Sequence, residues 1–193
     1  MNNIKTFENF NNQDIFKYIL NNDIKSVKNY INSGYDLNIR NKYSNTALIV
    51  AVFYNRIKII ELLLNAGADI NKQDNNGNTA LIKAVYHNKI KIVKLLLNAG
   101  ADIDKQNIVG ITALILAASY NNRAIVEILL DYYADEFILN YENESFYDYL
   151  NDVNKKHFMQ KYPTSVYNAI SHNYKKSFTE FIKDYNIKII KLI

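Results

Sequence analysis

The chain of 193 residues has no cysteine, no tryptophan and a single proline. The absence of cysteine excludes disulfides, thiol catalysis and cysteine-ligated zinc, and it fits a reducing compartment. No run of about 18 apolar residues occurs, so the sequence predicts no membrane span. Residues 1–10 are polar and lack the apolar core of a secretory signal. We therefore expect a cytoplasmic protein.

Glycine and histidine are also scarce, with five and three residues. No glycine-rich phosphate loop and no Gly-x-Ser-x-Gly elbow is present, and His87, His157 and His172 do not have the spacing of metal ligands. The sequence therefore predicts no catalytic residue, no metal site and no cofactor. We expect a protein that is not an enzyme.

What the chain has instead is a segment that repeats. Thr46–Ala51 (TALIVA) returns as Thr79–Ala84 (TALIKA) and as Thr112–Ala117 (TALILA), 33 residues apart each time. Asn65–Ile70 (NAGADI) returns at the same step as Asn98–Ile103. A fixed period of this size predicts stacked units, each of which completes its core against its neighbours.

These residues resemble the ankyrin repeat, whose Thr-Pro-Leu-His-x-Ala and Gly-Ala-Asp motifs are present in altered form. The resemblance implies an all-α solenoid of helix-turn-helix units joined by β-turn loops. It divides residues 1–157 into an N-terminal cap (10–39), three repeats (40–72, 73–105 and 106–138) and a degenerate repeat (139–157). We expect residues 158–193 to form a helical C-terminal cap or extension.

Within the third unit of this frame, Thr79 stands where a helix N-cap is expected and Asn88 where two helices separate. The family's proline is replaced by alanine at 47, 80 and 113, and its histidine by isoleucine at 49, 82 and 115. Ser44 occupies the position of Gly77 and Gly110. Tyr133 occupies that of Gly67 and Gly100, which predicts that the helix before Tyr133 ends differently.

The C-terminal part matches the frame weakly. Ser145 falls on the threonine position and predicts a capped helix start. Beyond Pro163, helices are expected at Ser165–Ser171 and Ser177–Tyr185, where they would cover the apolar end of the stack.

The resemblance also implies binding of a protein partner through the concave face of the stack, made by the turn tips and the exposed face of the first helix of each repeat. Carried over position by position, the predicted partner-binding residues are Tyr43, Phe53, Tyr54, Asn75, Asn76, Asn78, Tyr86, His87, Ile108, Val109, Ile111 and Tyr120. Exposed aromatic residues suit a binding surface because they offer a large contact area at low entropic cost. The alternative is that aromatic residues fall at these positions by chance, since the chain contains 16 tyrosines.

Two other features allow alternatives. Asp69, Asp102 and Asp135 recur at the same period, and they favour bonding to local turn amides over acid–base catalysis. Residues 151–193 hold eight lysines and three acidic residues, interleaved with aromatics, whereas residues 1–150 are nearly neutral. A basic aromatic segment could contact nucleic acid or an anionic membrane, or recruit a second factor such as ubiquitin-ligase machinery while the repeats hold a target.

We favour a monomeric scaffold that binds a protein, with nucleic acid the less favoured ligand. The partner is not identified by the sequence. If the source is an intracellular bacterium or a virus, we expect a host protein as the partner and the host cytosol as the location.

Overall fold

A computed structural model describes residues 11–162 of the chain. This part contains nine α-helices and no strand, with only an isolated bridge between Arg40 and Thr46. The all-α class is therefore confirmed. The helices are α1 (Asp14–Leu20), α2 (Ile24–Asn32), α3 (Ala47–Phe53), α4 (Ile57–Asn65), α5 (Ala80–Tyr86), α6 (Ile90–Asn98), α7 (Ala113–Ser119), α8 (Arg123–Asp131) and α9 (Asp152–Lys161).

The helices form pairs that stack into a solenoid. Each of the first four pairs packs its two helices together, and α1, α3, α5 and α7 contact one another in chain order along the inner side. On the outer side α2 contacts α4, and α6 contacts α8. Each of the repeats predicted at 40–72, 73–105 and 106–138 contains one such pair.

The starts of the inner helices follow from the repeated threonine. The Oγ1 atoms of Thr46, Thr79 and Thr112 accept the backbone N–H three residues later at 3.3, 3.2 and 3.2 Å. Each hydroxyl thereby satisfies an amide that the first helical turn leaves without a partner. The N-cap predicted at Thr79 is confirmed.

Between the two helices of a pair, the chain reverses at an asparagine with left-handed backbone. The φ angles of Asn22, Asn55, Asn88 and Asn121 lie between 50° and 57°. Asparagine tolerates this region better than other side-chain-bearing residues. The break predicted at Asn88 is therefore present, and it recurs in every pair.

The core lies between the inner and outer helices. Ile49, Ile82 and Ile115, which stand at the family's histidine position, are at most 3% exposed. Ala84 is fully buried and is small enough to let α5 and α6 approach. Apolar packing therefore replaces the polar group at this position of the repeat.

The prediction for Tyr133 was wrong. Its φ is 62°, close to the left-handed values of Gly67 and Gly100, and α8 ends at the same repeat position as α4 and α6. A Cβ atom at Gly67 or Gly100 would meet nothing within 4 Å, so the tyrosine side chain has room and is 91% exposed. Because its side chain meets no obstacle, Tyr133 adopts the left-handed φ of the glycines, and α8 ends as α4 and α6 do.

The C-terminal unit departs from the repeat. Ser145 does not begin a helix, because residues 145–150 form turns in which the Asp148 carboxylate accepts both the Ser145 N–H and its hydroxyl at 2.8 Å. The helix α9 runs across the boundary predicted between 157 and 158. The helices expected at Ser165–Ser171 and Ser177–Tyr185 lie outside the described residues.

Candidate functional site: an aromatic row and a groove

Five rings at the ends of the inner helices form a continuous surface, which we call the aromatic row: Phe53, Tyr54, Tyr86, His87 and Tyr120. Phe53 contacts Tyr54 and His87 edge-on with centroids 5.0 Å apart. Tyr86 contacts His87 at 5.0 Å and Tyr120 at 5.8 Å in the same way. The row crosses three repeats.

Much of the row remains accessible to solvent. Phe53, Tyr86 and Tyr120 are 52, 56 and 56% exposed, and Tyr54 is 41% exposed. The rings therefore pack against one another while one side of each stays free. Such a surface offers a large apolar contact area in which few side-chain rotations are left to freeze on binding.

A cation from the next repeat binds the ends of α3, which carries Phe53 of the row, and of α1, which lies beside the groove. The Lys89 ammonium donates to the carbonyls of Val52 and Phe53 at 2.9 and 2.6 Å, and burial lowers its pKa. Arg56 does the same for the end of α1, with its Nη2 2.7 Å from the Leu20 carbonyl. A cation at a helix C-terminus satisfies carbonyls that have no partner within the helix.

Beside the row, a groove of about 690 Å³ separates the inner helices from the turn tips. The tips are the loops 40–46, 73–79, 106–112 and 139–145, called the first to fourth tip. The groove is lined by Phe16, Leu20, Asn41, Tyr43, Asn45, Ile49, Val50, Phe53, Tyr54, Asn76, Asn78, Ile82, Lys83, Tyr86, His87, Asn107 and Leu116. The aliphatic side chains and most of the aromatic ones come from the inner helices and the residues that follow them, whereas the asparagines and Tyr43 come from the tips.

The two basic groups of the lining, Lys83 and His87, add little charge. The Lys83 ammonium lies 2.8 Å from the Asp74 carboxylate, which is buried. Burial alone would raise the pKa of Asp74, but Lys83 and the tip amides outweigh this effect and lower it. Burial, with Lys89 and Lys83 nearby, lowers the pKa of His87, so this ring is neutral at pH 7.

The predicted binding residues divide into two sets. Those that line the groove are Tyr43, Phe53, Tyr54, Asn76, Asn78, Tyr86 and His87. Those outside the lining are Asn75, Ile108, Val109, Ile111 and Tyr120. Of the second set, Ile111 is half-buried against the core, Tyr120 ends the aromatic row, and Asn75, Ile108 and Val109 are exposed on the tips.

Several lining residues were not predicted. Lys83 holds the position of Val50 and Leu116 in the neighbouring repeats. A charged residue at a position that is otherwise apolar indicates a site open to solvent or a polar partner, and this departure was visible in the sequence. Phe16 and Leu20 belong to the cap, where they hold the positions of Ile49 and Phe53 of the next repeat. Leu20 is 44% exposed because the groove begins beside it.

The tips are joined to one another unevenly. The Ile108 N–H of the third tip donates to the Asn76 carbonyl of the second at 3.1 Å, and the Tyr141 N–H of the fourth donates to the Val109 carbonyl of the third at 3.3 Å. The equivalent atoms of the first and second tips are the Tyr43 carbonyl and the Asn75 N–H. No hydrogen bond joins them, and within residues 11–162 neither atom has another hydrogen-bond partner.

Side chains repeat this difference. Gln73 Nε2 donates to the Gln106 carbonyl at 2.8 Å, and Gln106 Nε2 donates to the Leu139 carbonyl at 3.0 Å. Each amide also binds a carbonyl of its own tip. Arg40 holds this position in the first tip and makes no such bond. We call the contact between the first and second tips the open junction, and the two that follow the closed junctions.

The open junction has a steric cause. A Cβ atom at Gly77 would lie 2.7 Å from the Ile108 nitrogen, and one at Gly110 would lie 2.8 Å from the Tyr141 nitrogen. The glycines are therefore needed for close approach as well as for positive φ. Ser44 adopts the same backbone, with φ of 59°, but its Cβ occupies the space into which Asn75 would have to move.

The described residues do not favour acid–base catalysis by the three repeated aspartates. The carboxylates of Asp69, Asp102 and Asp135 accept the amide two residues later at 2.9, 3.2 and 2.8 Å. Within 11–162 no cluster of three or more histidine, aspartate or glutamate side chains is placed to hold a metal ion. None of the helices in that range is long and apolar enough to cross a membrane.

The described part of the basic segment packs on the array. Phe158 is fully buried, Lys161 binds Glu127, and the Tyr162 hydroxyl donates to Asp131 at 2.6 Å. Lys161 and Tyr162 are therefore occupied by contacts with α8. Lys175, Lys176, Tyr167 and Tyr174 lie outside the described residues.

Comparison with known families gives two matches. A model of ankyrin repeats in three copies matches residues 15–107, and a model of the single ankyrin repeat matches residues 109–143. No curated protein matched the chain.

Proposed function

The chain belongs to the ankyrin-repeat family, and we propose that it is a non-enzymatic scaffold that holds a partner protein on the aromatic row and in the adjoining groove. Repeats of this family are generally protein-interaction modules. The observation that carries the proposal is the row itself. Its five rings contact one another across three repeats, and four of them keep about half of their surface exposed.

Two features support a binding role for this surface. The stacked repeats fix the backbone beneath the rings, and Lys89 binds the end of α3 that carries Phe53, so little order has to be gained on binding. A concave apolar surface with a few polar groups is the usual form of a binding site. The groove has this composition, since aliphatic and aromatic side chains face asparagine amides.

The test removes part of the row without touching the core. We would compare Tyr86→Ala/Tyr120→Ala with wild type in affinity capture from a cytosolic extract, followed by titration of each captured protein. A matched control, Tyr133→Ala/Phe137→Ala, removes two exposed aromatics that lie outside the row. Circular dichroism checks that both variants remain folded.

We expect the row variant to weaken binding by about 2 kcal/mol, the loss typical of a central aromatic contact, and the control to bind like wild type. Equal binding by the folded row variant would contradict the proposal. Loss of binding in the control alone would move the site to the outer surface near Tyr133.

A further inference from the structure

The groove and the open junction meet at the first and second tips. We propose that they take an extended, uncharged segment of the partner protein, whose backbone hydrogen-bonds the Tyr43 carbonyl and the Asn75 amide while its apolar side chains enter the groove. This inference rests on the proposed function and specifies the kind of segment that is bound.

The backbone groups of the open junction are available to hydrogen-bond a bound segment. At both closed junctions the corresponding N–H and carbonyl bond each other, whereas those of Tyr43 and Asn75, both exposed residues, have no hydrogen-bond partner among residues 11–162. A carbonyl and an amide exposed side by side are the groups that an added extended chain pairs with. They are held at fixed positions, because hydrogen bonds within each tip, such as Asn41 N–H to Asn45 carbonyl at 3.0 Å, make both tips rigid.

The side chains around the open junction can also bind a peptide backbone. Asn45 and Asn76 line the groove, and their side-chain amides make no hydrogen bond with any described residue. An amide side chain both donates and accepts, which matches the alternating N–H and carbonyl groups of a peptide backbone. Four polar backbone or side-chain groups without a partner therefore surround the entrance to an apolar groove.

The charge of the lining excludes other classes of segment. Lys83 is already paired with the buried Asp74, and His87 is neutral at pH 7. Among the residues that line the groove, the only ammonium group is already paired and no carboxylate is present, so a charged side chain that enters the groove finds no unpaired partner there. Moving either from water into the groove would cost desolvation without a compensating contact. An uncharged segment avoids this cost.

The shape of the site suits a segment more than a folded surface. A volume of about 690 Å³ lies in the range of clefts that surround a small ligand on most sides. Successive side chains of an extended chain point to opposite sides. We therefore expect large apolar residues at alternate positions of the segment, with the residues between them facing solvent.

The experiment starts from a displayed library of random 12-residue peptides, selected against the full chain. Selected peptides are then synthesised, labelled and titrated by fluorescence anisotropy. We expect sequences with apolar residues at alternate positions and no charge between them. Methylation of the backbone nitrogens, one at a time, should weaken binding about tenfold at the amide that donates to Tyr43 and much less at solvent-facing amides.

A second variant closes the junction. Arg40→Gln/Ser44→Gly gives the first tip the glutamine and glycine of the second and third, so that Asn75 can bond Tyr43 and occupy both groups. We expect about tenfold weaker peptide binding. The control, Asn143→Gly, changes a residue with φ of 63° in the fourth tip, far along the chain from the junction, and should bind the peptide unchanged.

The outcomes separate the two proposals. Selected peptides that lose binding in Tyr86→Ala/Tyr120→Ala, but not in the closed-junction variant or at any single methylated amide, would overturn the junction proposal and leave the aromatic row as the site. Binding unaffected by either variant would overturn both. Selection of charged peptides, or of none, would overturn the extended uncharged segment.

Discussion

The open junction and the closed junctions are built on the same turn. In every tip an asparagine or aspartate accepts two backbone amides, and the third residue after it has positive φ. Where that residue is glycine and another tip follows, the next tip approaches and donates a hydrogen bond. Where it is Ser44, the approach is blocked. We therefore attribute the open junction to Ser44 in place of glycine, together with Arg40 in place of glutamine.

The largest effect should come from blocking a closed junction. Gly77→Ser places a Cβ atom within 2.7 Å of the Ile108 nitrogen, at a residue with φ of +72°. We expect the free energy of unfolding to fall by about 3 kcal/mol, because the positive φ and the clash both cost stability. Urea denaturation followed by circular dichroism measures the change.

A matched glycine separates these two costs. Gly67 has φ of +84°, but a Cβ atom there would meet nothing within 4 Å. Gly67→Ser should therefore lower the free energy of unfolding only by the conformational cost of a positive φ, about 1 kcal/mol. If the two variants lose the same stability, close approach is not the reason for glycine at 77, and the steric explanation of the open junction fails.

The glutamine bonds predict a smaller difference. Gln106→Ala removes two hydrogen bonds, one of them to the Leu139 carbonyl across a closed junction, and should lower the free energy of unfolding by about 1–2 kcal/mol. Arg40→Ala removes the exposed residue at the same position of the first tip and should change it by less than about 0.5 kcal/mol. Equal effects in thermal or urea unfolding would mean that both junctions are stabilised alike.

The smallest effect concerns a second set of contacts between repeats. The Oδ1 atoms of Asn38 and Asn71 each accept an amide of the next repeat at 2.8 Å, and Asp104 Oδ1 does so for the Asp135 N–H at 2.9 Å. Burial raises the pKa of Asp104, against the opposing bond from the Asp135 amide, and the carboxylates of Asp135 and Asp102 raise it further.

Asp104→Asn should therefore stabilise the chain at neutral pH. A raised pKa means that the folded carboxyl binds its proton more tightly than the unfolded one, so its cost appears as pH rises through the folded pKa and is complete above it. We expect a gain of about 0.5 kcal/mol at pH 7 that vanishes below the unfolded pKa, at about pH 3. Urea unfolding at both pH values measures it, and a gain that is equal at both would contradict the electrostatic cause.

The fold could be predicted because its signals are local and repeated. Thr46, Thr79 and Thr112 cap helices by contacts within three residues, and the left-handed asparagines act within one turn. The same locality explains the error at Tyr133. Its left-handed angle was recognised, but whether the side chain had room depended on neighbours that the sequence does not place.

The site could be predicted only in part. The aromatic positions follow from the repeat, because each is the last residue of an inner helix or the one after it. The groove could not be predicted, since its lining comes from the cap and from three repeats, and the space between helices and tips depends on how these units stack. Ser44 was visible as a departure from glycine, but its consequence required the distance between neighbouring tips.

Amide hydrogen exchange tests the central claim directly. Followed residue by residue by NMR on the full chain, it reports whether each backbone N–H is hydrogen-bonded. We predict that the Asn75 amide exchanges at nearly the rate of an unprotected peptide, whereas the Ile108 and Tyr141 amides exchange at least about 100-fold more slowly. Equal protection of all three amides would show that the first junction is closed, and it would contradict the account of the open site.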